Sequence, residues 1–136
     1  MCPQLALPKT PARVCGPPQV HAVDQLIKLP ESLRNIHGAL AEPATVGVHA
    51  NLQGGMAAGK RVAVIGAGTI GSMIAQVARG WGAADVVIVD RMPARRALAA
   101  DLGFDQFVLS GAGDEEEELL SFGGPFDIVF DNACTE

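Results

Sequence analysis

Tyrosine is missing from this sequence, and other aromatic residues are few, with five phenylalanines and one tryptophan among 136 residues. A core built from this chain must therefore be mostly aliphatic, as in α/β proteins whose sheets are covered on both faces. Long apolar runs are missing as well. No stretch approaches the roughly 20 apolar residues of a membrane helix, and the N-terminus lacks the pattern of a signal peptide. We therefore expect a globular, cytoplasmic protein that does not bind a membrane.

Cysteine and basic charge are both scarce. The three cysteines, Cys2, Cys15 and Cys134, are far apart and form no Cys-x-x-Cys pair, so we expect neither a structural zinc site nor a disulfide framework. Ten basic residues against fifteen acidic ones give a net charge of −5. Nucleic acid is not an expected partner, because binding its backbone needs a basic face. A dinucleotide remains compatible, since a helix N-terminus binds a pyrophosphate without a cation.

The N-terminal part of the chain is rich in proline, which interrupts helices and removes strand donors. We predict an irregular segment over residues 1–35, in which a short strand is compatible with residues 19–28. Residues 36–50 are predicted to be helical, and Pro43 is predicted to start a new helix there at a first-turn position. Residues 36–136 are predicted to form one further domain.

From Arg61 onward, short apolar runs alternate with helical patterns. The runs predict strands near residues 61–65, 86–90, 106–109 and 127–131. The intervening patterns predict helices, one of them opened by Pro93. Alternation of this kind is typical of a parallel sheet with right-handed crossovers, so the predicted fold class is α/β.

The sequence GAGTIG directly follows the first apolar run and opens an amphipathic helix. In this context the pattern Gly-x-Gly-x-x-Gly indicates a dinucleotide-binding loop. Gly66 permits the tight turn, Gly68 lets a pyrophosphate approach the backbone, and Gly71 lets the helix pack close to the sheet. Free N–H groups near Thr69 and Ile70 are predicted to point at the phosphates. We expect a partial Rossmann fold with strand order 3-2-1-4.

Three charged residues near the end of the second strand bear on the choice of cofactor. Asp90 lies 19 residues after Gly71, where an acidic side chain accepts hydrogen bonds from the adenosine ribose and repels a 2′-phosphate. Arg91 follows immediately, and an arginine there accommodates NADP in some proteins. Arg95 lies one turn into the next helix. Both arginines are interpreted either as contacts to the ribose or adenine or as solvated surface residues. The pattern favours NAD over NADP.

Several stretches resemble the medium-chain, zinc-type alcohol dehydrogenases, particularly their polyol and threonine dehydrogenase branch. Residues 26–33 (LIKLPESL) are similar to the segment leading out of that family's catalytic domain, and residues 41–50 (AEPATVGVHA) to its linking helix. Residues 59–71 (GKRVAVIGAGTIG) are similar to its first nucleotide-binding strand and loop. The second and fourth strands match residues 82–90 and 126–130. The resemblance covers roughly residues 20–133.

The resemblance implies reversible oxidation of a polyol or secondary alcohol, with a zinc ion polarising the alcohol oxygen and NAD taking the hydride. In that family a cysteine and a His-Glu pair of the upstream catalytic domain hold the zinc, and this sequence has no His-Glu pair. Glu42 matches the position where the branch places an acidic residue beside or on the zinc. Its alternative interpretation is a polar residue at a helix start. One candidate ligand, where about three are needed, predicts that zinc is not held tightly.

We therefore expect the cofactor-binding part of a zinc-type NAD-dependent dehydrogenase, truncated and inactive as an isolated chain. A small alcohol would be its substrate once the catalytic part is supplied, and homo-oligomer formation is left open. The alternative function is a non-catalytic nucleotide-binding module or an inactive fragment of such an enzyme. NAD binding without turnover would favour this alternative, and a longer reading frame with an upstream His-Glu pair would favour the enzyme.

Overall fold

The computed structural model describes residues 24, 27–111 and 113–133. The chain divides into two compact units, residues 1–32 and 33–136. In the first unit, residues 27–30 lack helix and strand, and a turn begins at Glu31. The proline-rich residues 1–18 and most of the strand predicted within residues 19–28 lie outside the described residues.

In the second unit, helices and strands alternate from Arg61 onward. The described helices are α1 (Asn35–Gly38), α2 (Ala41–Gln53), α3 (Thr69–Gly80), α4 (Pro93–Asp101) and α5 (Glu115–Ser121). The described strands are β1 (Arg61–Ile65), β2 (Asp85–Asp90), β3 (Phe107–Leu109) and β4 (Ile128–Asp131). The strands predicted from the apolar runs are all present, with bounds that differ by one residue at most. Among the described residues, the structure contains no helix of the length and apolarity that crossing a membrane requires.

The described strands form one parallel sheet in the order β3-β2-β1-β4. Strand β1 is interior, since Val62 pairs with Val86 of β2 on one side and with Ile128 of β4 on the other. The α/β fold class and the strand order 3-2-1-4 predicted from the sequence are confirmed. Because β1 has parallel neighbours on both sides, its carboxyl end lies between the carboxyl ends of β2 and β4.

Apolar side chains are buried on both faces of the sheet, which explains why the strands read as continuous apolar runs. On one face, Val62 and Val64 of β1 pack in a cluster with Ile74 of α3. On the other face, Val87 of β2 packs in a second cluster against Phe122, which directly follows α5. The central strands are therefore held between helices, and their carboxyl ends are fixed relative to each other.

Helix α3 turns its small residues toward the sheet. The larger apolar residues that recur at helical spacing in the sequence are Ile70, Met73, Ile74, Val77 and Trp81. Only Ile74 of this set is fully buried, and the 38% exposed Trp81 lies at the helix end. Ala75 and Ala78 are buried completely. Small side chains at these positions let the helix axis approach β1 closely, which large ones would prevent.

Helix α2 crosses α3 at backbone contact. A Cβ atom added to Gly47 would lie 2.9 Å from the carbonyl carbon of Met73. One turn later, the fully buried Asn51 side chain donates from Nδ2 to the carbonyl oxygens of Gly47 (2.9 Å) and Ile74 (3.1 Å).

Helix α2 begins at Ala41, so Pro43 is its third residue, where a missing N–H breaks no helical hydrogen bond. The residues 36–50 predicted to be helical thus span two helices, as Pro43 indicated, but the second helix begins two residues before Pro43 and extends further, to Gln53.

Candidate functional site

The loop after β1 makes a tight turn at Gly66. Its φ of 96° lies in the left-handed region that favours glycine. Its N–H donates to the carbonyl of Val89 in β2 at 2.7 Å, which ties the turn to the neighbouring strand. A Cβ atom on Gly66 would lie 3.2 Å from the backbone nitrogen of Ala133, so a chain segment also covers the turn from the β4 side. The first glycine of the motif is thus required by both conformation and space.

Gly68 lies at the start of α3 and faces open space. A Cβ atom built on it would meet no other atom within 4 Å, and its backbone (φ −73°, ψ −172°) is open to any residue. By helix geometry, the N–H groups of Thr69, Ile70 and Gly71 find no acceptor within α3. The first turn of α3 contains no acidic residue that would repel an anion. This end of the helix therefore offers free donors, a favourable dipole and room for a ligand.

Gly71 lies where α3 crosses back over the turn. A Cβ atom on Gly71 would lie 1.8 Å from the carbonyl oxygen of Gly66, a separation that no side chain tolerates. Thr69 is exposed and Ile70 is half-buried, with its side chain packed against the core. The three motif glycines thus differ: the first and third serve close packing, and only the middle one adjoins open space.

Asp90 lies at the carboxyl end of β2, beside the glycine loop. Its Oδ2 accepts a hydrogen bond from the N–H of Ala67 at 2.6 Å, and its Oδ1 accepts one from the N–H of Met92 at 2.7 Å. The carboxylate therefore connects the end of β2 to the loop after β1, which sequence reasoning did not anticipate. A carboxylate offers about four lone-pair sites, so two acceptor positions remain for a ligand.

The two arginines near Asp90 make no side-chain hydrogen bond or ion pair with the part of the chain that the structure describes. Arg91 is exposed and Arg95 is half-buried in the first turn of α4. The next residue, Arg96, is engaged differently, since it donates to the carbonyl of Phe107 at 3.2 Å. Among the described residues, neither the Arg91 nor the Arg95 guanidinium group forms an ion pair with a carboxylate, that of Asp90 included.

The structure places Glu42 at the second position of α2. Its side chain is exposed in the first turn of α2. Within residues 24, 27–111 and 113–133, no group of three or more His, Cys, Asp or Glu side chains is arranged to hold a metal ion. A catalytic zinc normally needs three protein ligands, so these residues do not fit the zinc that the family resemblance implies.

Sequence reasoning did not identify Asn132 as a residue of the site. It follows β4 directly, and its backbone N–H and side-chain Nδ2 both donate to the carbonyl of Ile65, at 3.0 and 2.6 Å. The signal that would have found it is topological: in open α/β sheets, ligands bind outside the carboxyl ends of the strands where the chain reverses its direction of winding. In this sheet that point lies between β1 and β4.

A surface depression of about 480 Å³ lies elsewhere, between α5 and the start of β4. Its walls are mainly apolar and include Leu119, Leu120 and Phe126. None of the candidate site residues lines it. The candidate site is therefore the glycine loop, where backbone N–H groups and the Asp90 carboxylate lie side by side.

Comparisons with known proteins find that the chain is similar to dehydrogenases. A family model described as zinc-binding dehydrogenase matches residues 69–136, half of the chain. D-xylulose reductase of Scheffersomyces stipitis is 37% identical over 134 residues, which cover 91% of this chain. An alcohol dehydrogenase of Escherichia coli CFT073 complexed with NADH matches 80% of the chain at a TM-score of 0.73 and 27% identity. A zinc-binding dehydrogenase of Sinorhizobium meliloti bound to NADP matches 65% at a TM-score of 0.61 and 36% identity.

The chain corresponds to only a part of each of these proteins. It spans 37% of the length of D-xylulose reductase, 33% of the NADH complex and 26% of the NADP complex. One of the two solved structures holds NADH and the other NADP, so both cofactor forms occur among similar folds.

Proposed function

Because the chain belongs to the zinc-type medium-chain alcohol dehydrogenase family, we propose that it is the NAD-binding part of a polyol dehydrogenase. In this proposal residues 36–136 are a partial Rossmann domain with its linking helix, and residues 1–35 are a remnant of the catalytic domain. The bound NAD would accept a hydride from the carbon of a polyol or secondary alcohol. The similarity to D-xylulose reductase supports a polyol as the substrate class.

One observation carries the proposal: the open space at Gly68 adjoins both the free N–H groups of α3 and the Asp90 carboxylate. A Cβ atom at Gly68 would meet nothing within 4 Å, whereas one at Gly66 or Gly71 would meet backbone. Bare backbone at the middle position has no packing role, but it gives a pyrophosphate direct access to the helix N-terminus. The residues present therefore fit a dinucleotide.

The carboxylate of Asp90 supports NAD as the preferred cofactor. Its orientation is fixed by the N–H groups of Ala67 and Met92, and its two remaining acceptor positions suit the two hydroxyls of a ribose. A 2′-phosphate in the same place would meet a carboxylate of like charge. Arg91 and Arg95 act in the opposite direction, because their guanidinium groups have no described partner and would attract such a phosphate. We propose that Asp90 decides the preference, since it is held in place and the arginines are not.

The proposed test compares two glycine-to-alanine variants of the same helix. Gly68→Ala adds a methyl group to the proposed pyrophosphate site, and Gly80→Ala adds one at the other end of α3, where a Cβ also meets nothing within 4 Å. In calorimetric titrations we expect the native chain and Gly80→Ala to bind NAD with equal affinity, and both to bind NAD more tightly than NADP. Gly68→Ala should bind NAD at least tenfold more weakly than the native chain (about 1.4 kcal/mol). Equal NAD affinity in both variants, or no NAD binding by the native chain, would overturn the proposal.

The alternative function is a nucleotide-binding module without catalysis. Hydride transfer needs the reacting atoms held within about 3 to 3.5 Å, and the residues named here bind only the adenosine and pyrophosphate end of the cofactor. We therefore propose that the isolated chain binds NAD without oxidising alcohols. The test is NADH absorbance with zinc, NAD and a panel of polyols and secondary alcohols. Turnover above that of Gly68→Ala would contradict this and favour a complete enzyme.

A further inference from the structure

Asn132 lies against both turn glycines of the loop. A Cβ atom on Gly66 would be 3.3 Å from the carbonyl carbon and oxygen of Asn132, and one on Gly71 would be 3.0 Å from each end of its side-chain amide. The side chain therefore fills the space between the end of β1 and the first turn of α3. Gly68, the middle glycine, has no such neighbour.

The side chain of Asn132 also completes the last hydrogen bonds of β1. The carbonyl oxygen of Ile65 accepts from the backbone N–H of Asn132 at 3.0 Å and from its Nδ2 at 2.6 Å. A carbonyl oxygen has two lone pairs, so one residue satisfies both. The peptide that joins Ile65 to Gly66, where the strand turns into the loop, is thereby held from the β4 side.

We propose that Asn132 is a positioning residue, whose side-chain amide holds the glycine loop in the conformation that receives a pyrophosphate. On the opposite side of the loop, Asp90 holds the N–H of Ala67 at 2.6 Å. The loop is thus fixed from both neighbouring strands, while Gly68 stays open to a ligand. The inference rests on the proposed function, because a pyrophosphate is the group whose binding the loop conformation affects.

The physical reason is preorganisation. A loop that is already ordered loses less conformational freedom when the ligand binds, so more of the interaction free energy appears as affinity. Loss of the Asn132 amide leaves the Ile65 carbonyl with one partner and lets the turn relax. The affinity for a pyrophosphate, which would contact the loop backbone, should therefore fall. The affinity for an adenosine bound at Asp90 should change much less.

The experiment uses Asn132→Ala and Asn132→Leu in the full chain, with ADP-ribose and adenosine as probes. Leucine keeps most of the side-chain volume but has no donor, so it separates the hydrogen bond from packing. Gln76→Ala is the matched control, because the Gln76 amide also donates to a backbone carbonyl, that of Ser72 at 3.1 Å in α3. Urea unfolding followed by the single tryptophan verifies that each variant is folded under the titration conditions.

We expect both Asn132 variants to bind ADP-ribose about tenfold more weakly, with adenosine affinity within about twofold of the native chain and Gln76→Ala unchanged. Amide hydrogen exchange of Gly66 and Ala67 in the ligand-free variants should accelerate by a similar factor. Native ADP-ribose affinity in Asn132→Leu, or unchanged exchange at both amides, would overturn the role of Asn132. If the native chain binds no ADP-ribose, the proposed function fails, while the exchange rates still test Asn132 on their own.

Discussion

A methyl group at Gly71 should destabilise the fold more than a methyl group at Gly68, which adjoins open space. The Cβ atom of Gly71→Ala would lie 1.8 Å from the carbonyl oxygen of Gly66, against a separation of about 3 Å in real structures. The neighbour is backbone and has no flexible end that can turn away. Either α3 or the turn must therefore move by more than about 1 Å, in a region that is also packed against Asn132.

The magnitude follows from the cost of overpacking. Insertion of extra atoms into a well-packed interior costs about 1 to 3 kcal/mol, and rigid backbone on one side puts this site at or above the upper end. A loss of about 3 kcal/mol is a large share of the roughly 5 to 15 kcal/mol by which small domains are stable. Urea unfolding, followed by fluorescence of Trp81, should show a midpoint lower by at least about 1 M.

Gly68→Ala is the matched control for this prediction. Its backbone conformation suits alanine and its Cβ meets nothing, so its stability should stay within about 1 kcal/mol of the native value. The two variants should thus separate: Gly71→Ala loses stability, and Gly68→Ala loses NAD binding. An unfolding midpoint for Gly71→Ala equal to that of Gly68→Ala would refute the close crossing of α3 over the loop.

Three further substitutions test the cofactor preference, the contact between α2 and α3, and the pH dependence of stability. Asp90→Ala should weaken NAD binding by about 1 to 3 kcal/mol and narrow the gap to NADP, because it removes acceptors and a charge that repels a 2′-phosphate; titration showing an unchanged preference would contradict this. Asn51→Ala should lower the free energy of unfolding by about 1 to 3 kcal/mol, because it removes the bond between α2 and Ile74; a urea midpoint equal to the native one would argue against it. The N–H of Arg61 (2.8 Å) and the Lys60 ammonium (3.1 Å) hold the pKa of Asp127 below its ordinary value of 3.8. The charged carboxylate therefore stabilises the fold above about pH 4 and loses this effect as the pH falls through the lowered pKa, so Asp127→Asn should reduce the acid sensitivity of unfolding; equal acid sensitivity in both proteins would refute it.

The sheet was predictable because its signal is local. Short apolar runs such as Val62–Ile65, separated by helical patterns, indicate parallel strands, and the glycine loop after the first run indicates the strand order of a Rossmann fold. The α2 boundary was less predictable, since a proline at any of the first helical positions fits the same pattern. The apolar spacing indicated helix α3, but the complete burial of Ala75 and Ala78 was not predictable from it, because burial depends on how closely neighbouring elements pack.

The candidate site was predictable only in part. The glycine spacing and the position of Asp90 are linear features, so the sequence indicated both. No local pattern encodes the hydrogen bond from Ala67 to Asp90 or the packing of Asn132 against Gly66 and Gly71. Both arise where the ends of separate strands meet. Glu42 differs, because the family resemblance suggests a metal ligand there, whereas the described residues contain no group of three or more His, Cys, Asp or Glu side chains that could hold a metal ion.

A dinucleotide site at the glycine loop can be tested directly by mapping NAD onto the chain through backbone amide chemical shifts. We predict that NAD perturbs the amides of residues 66–71 and 90–92, with Gly68 and Thr69 among the most affected. Gly80, in the same helix but at its other end, should not respond. Perturbations that cluster instead at Leu119, Leu120 and Phe126, or that are absent at saturating NAD, would contradict a dinucleotide site at the glycine loop.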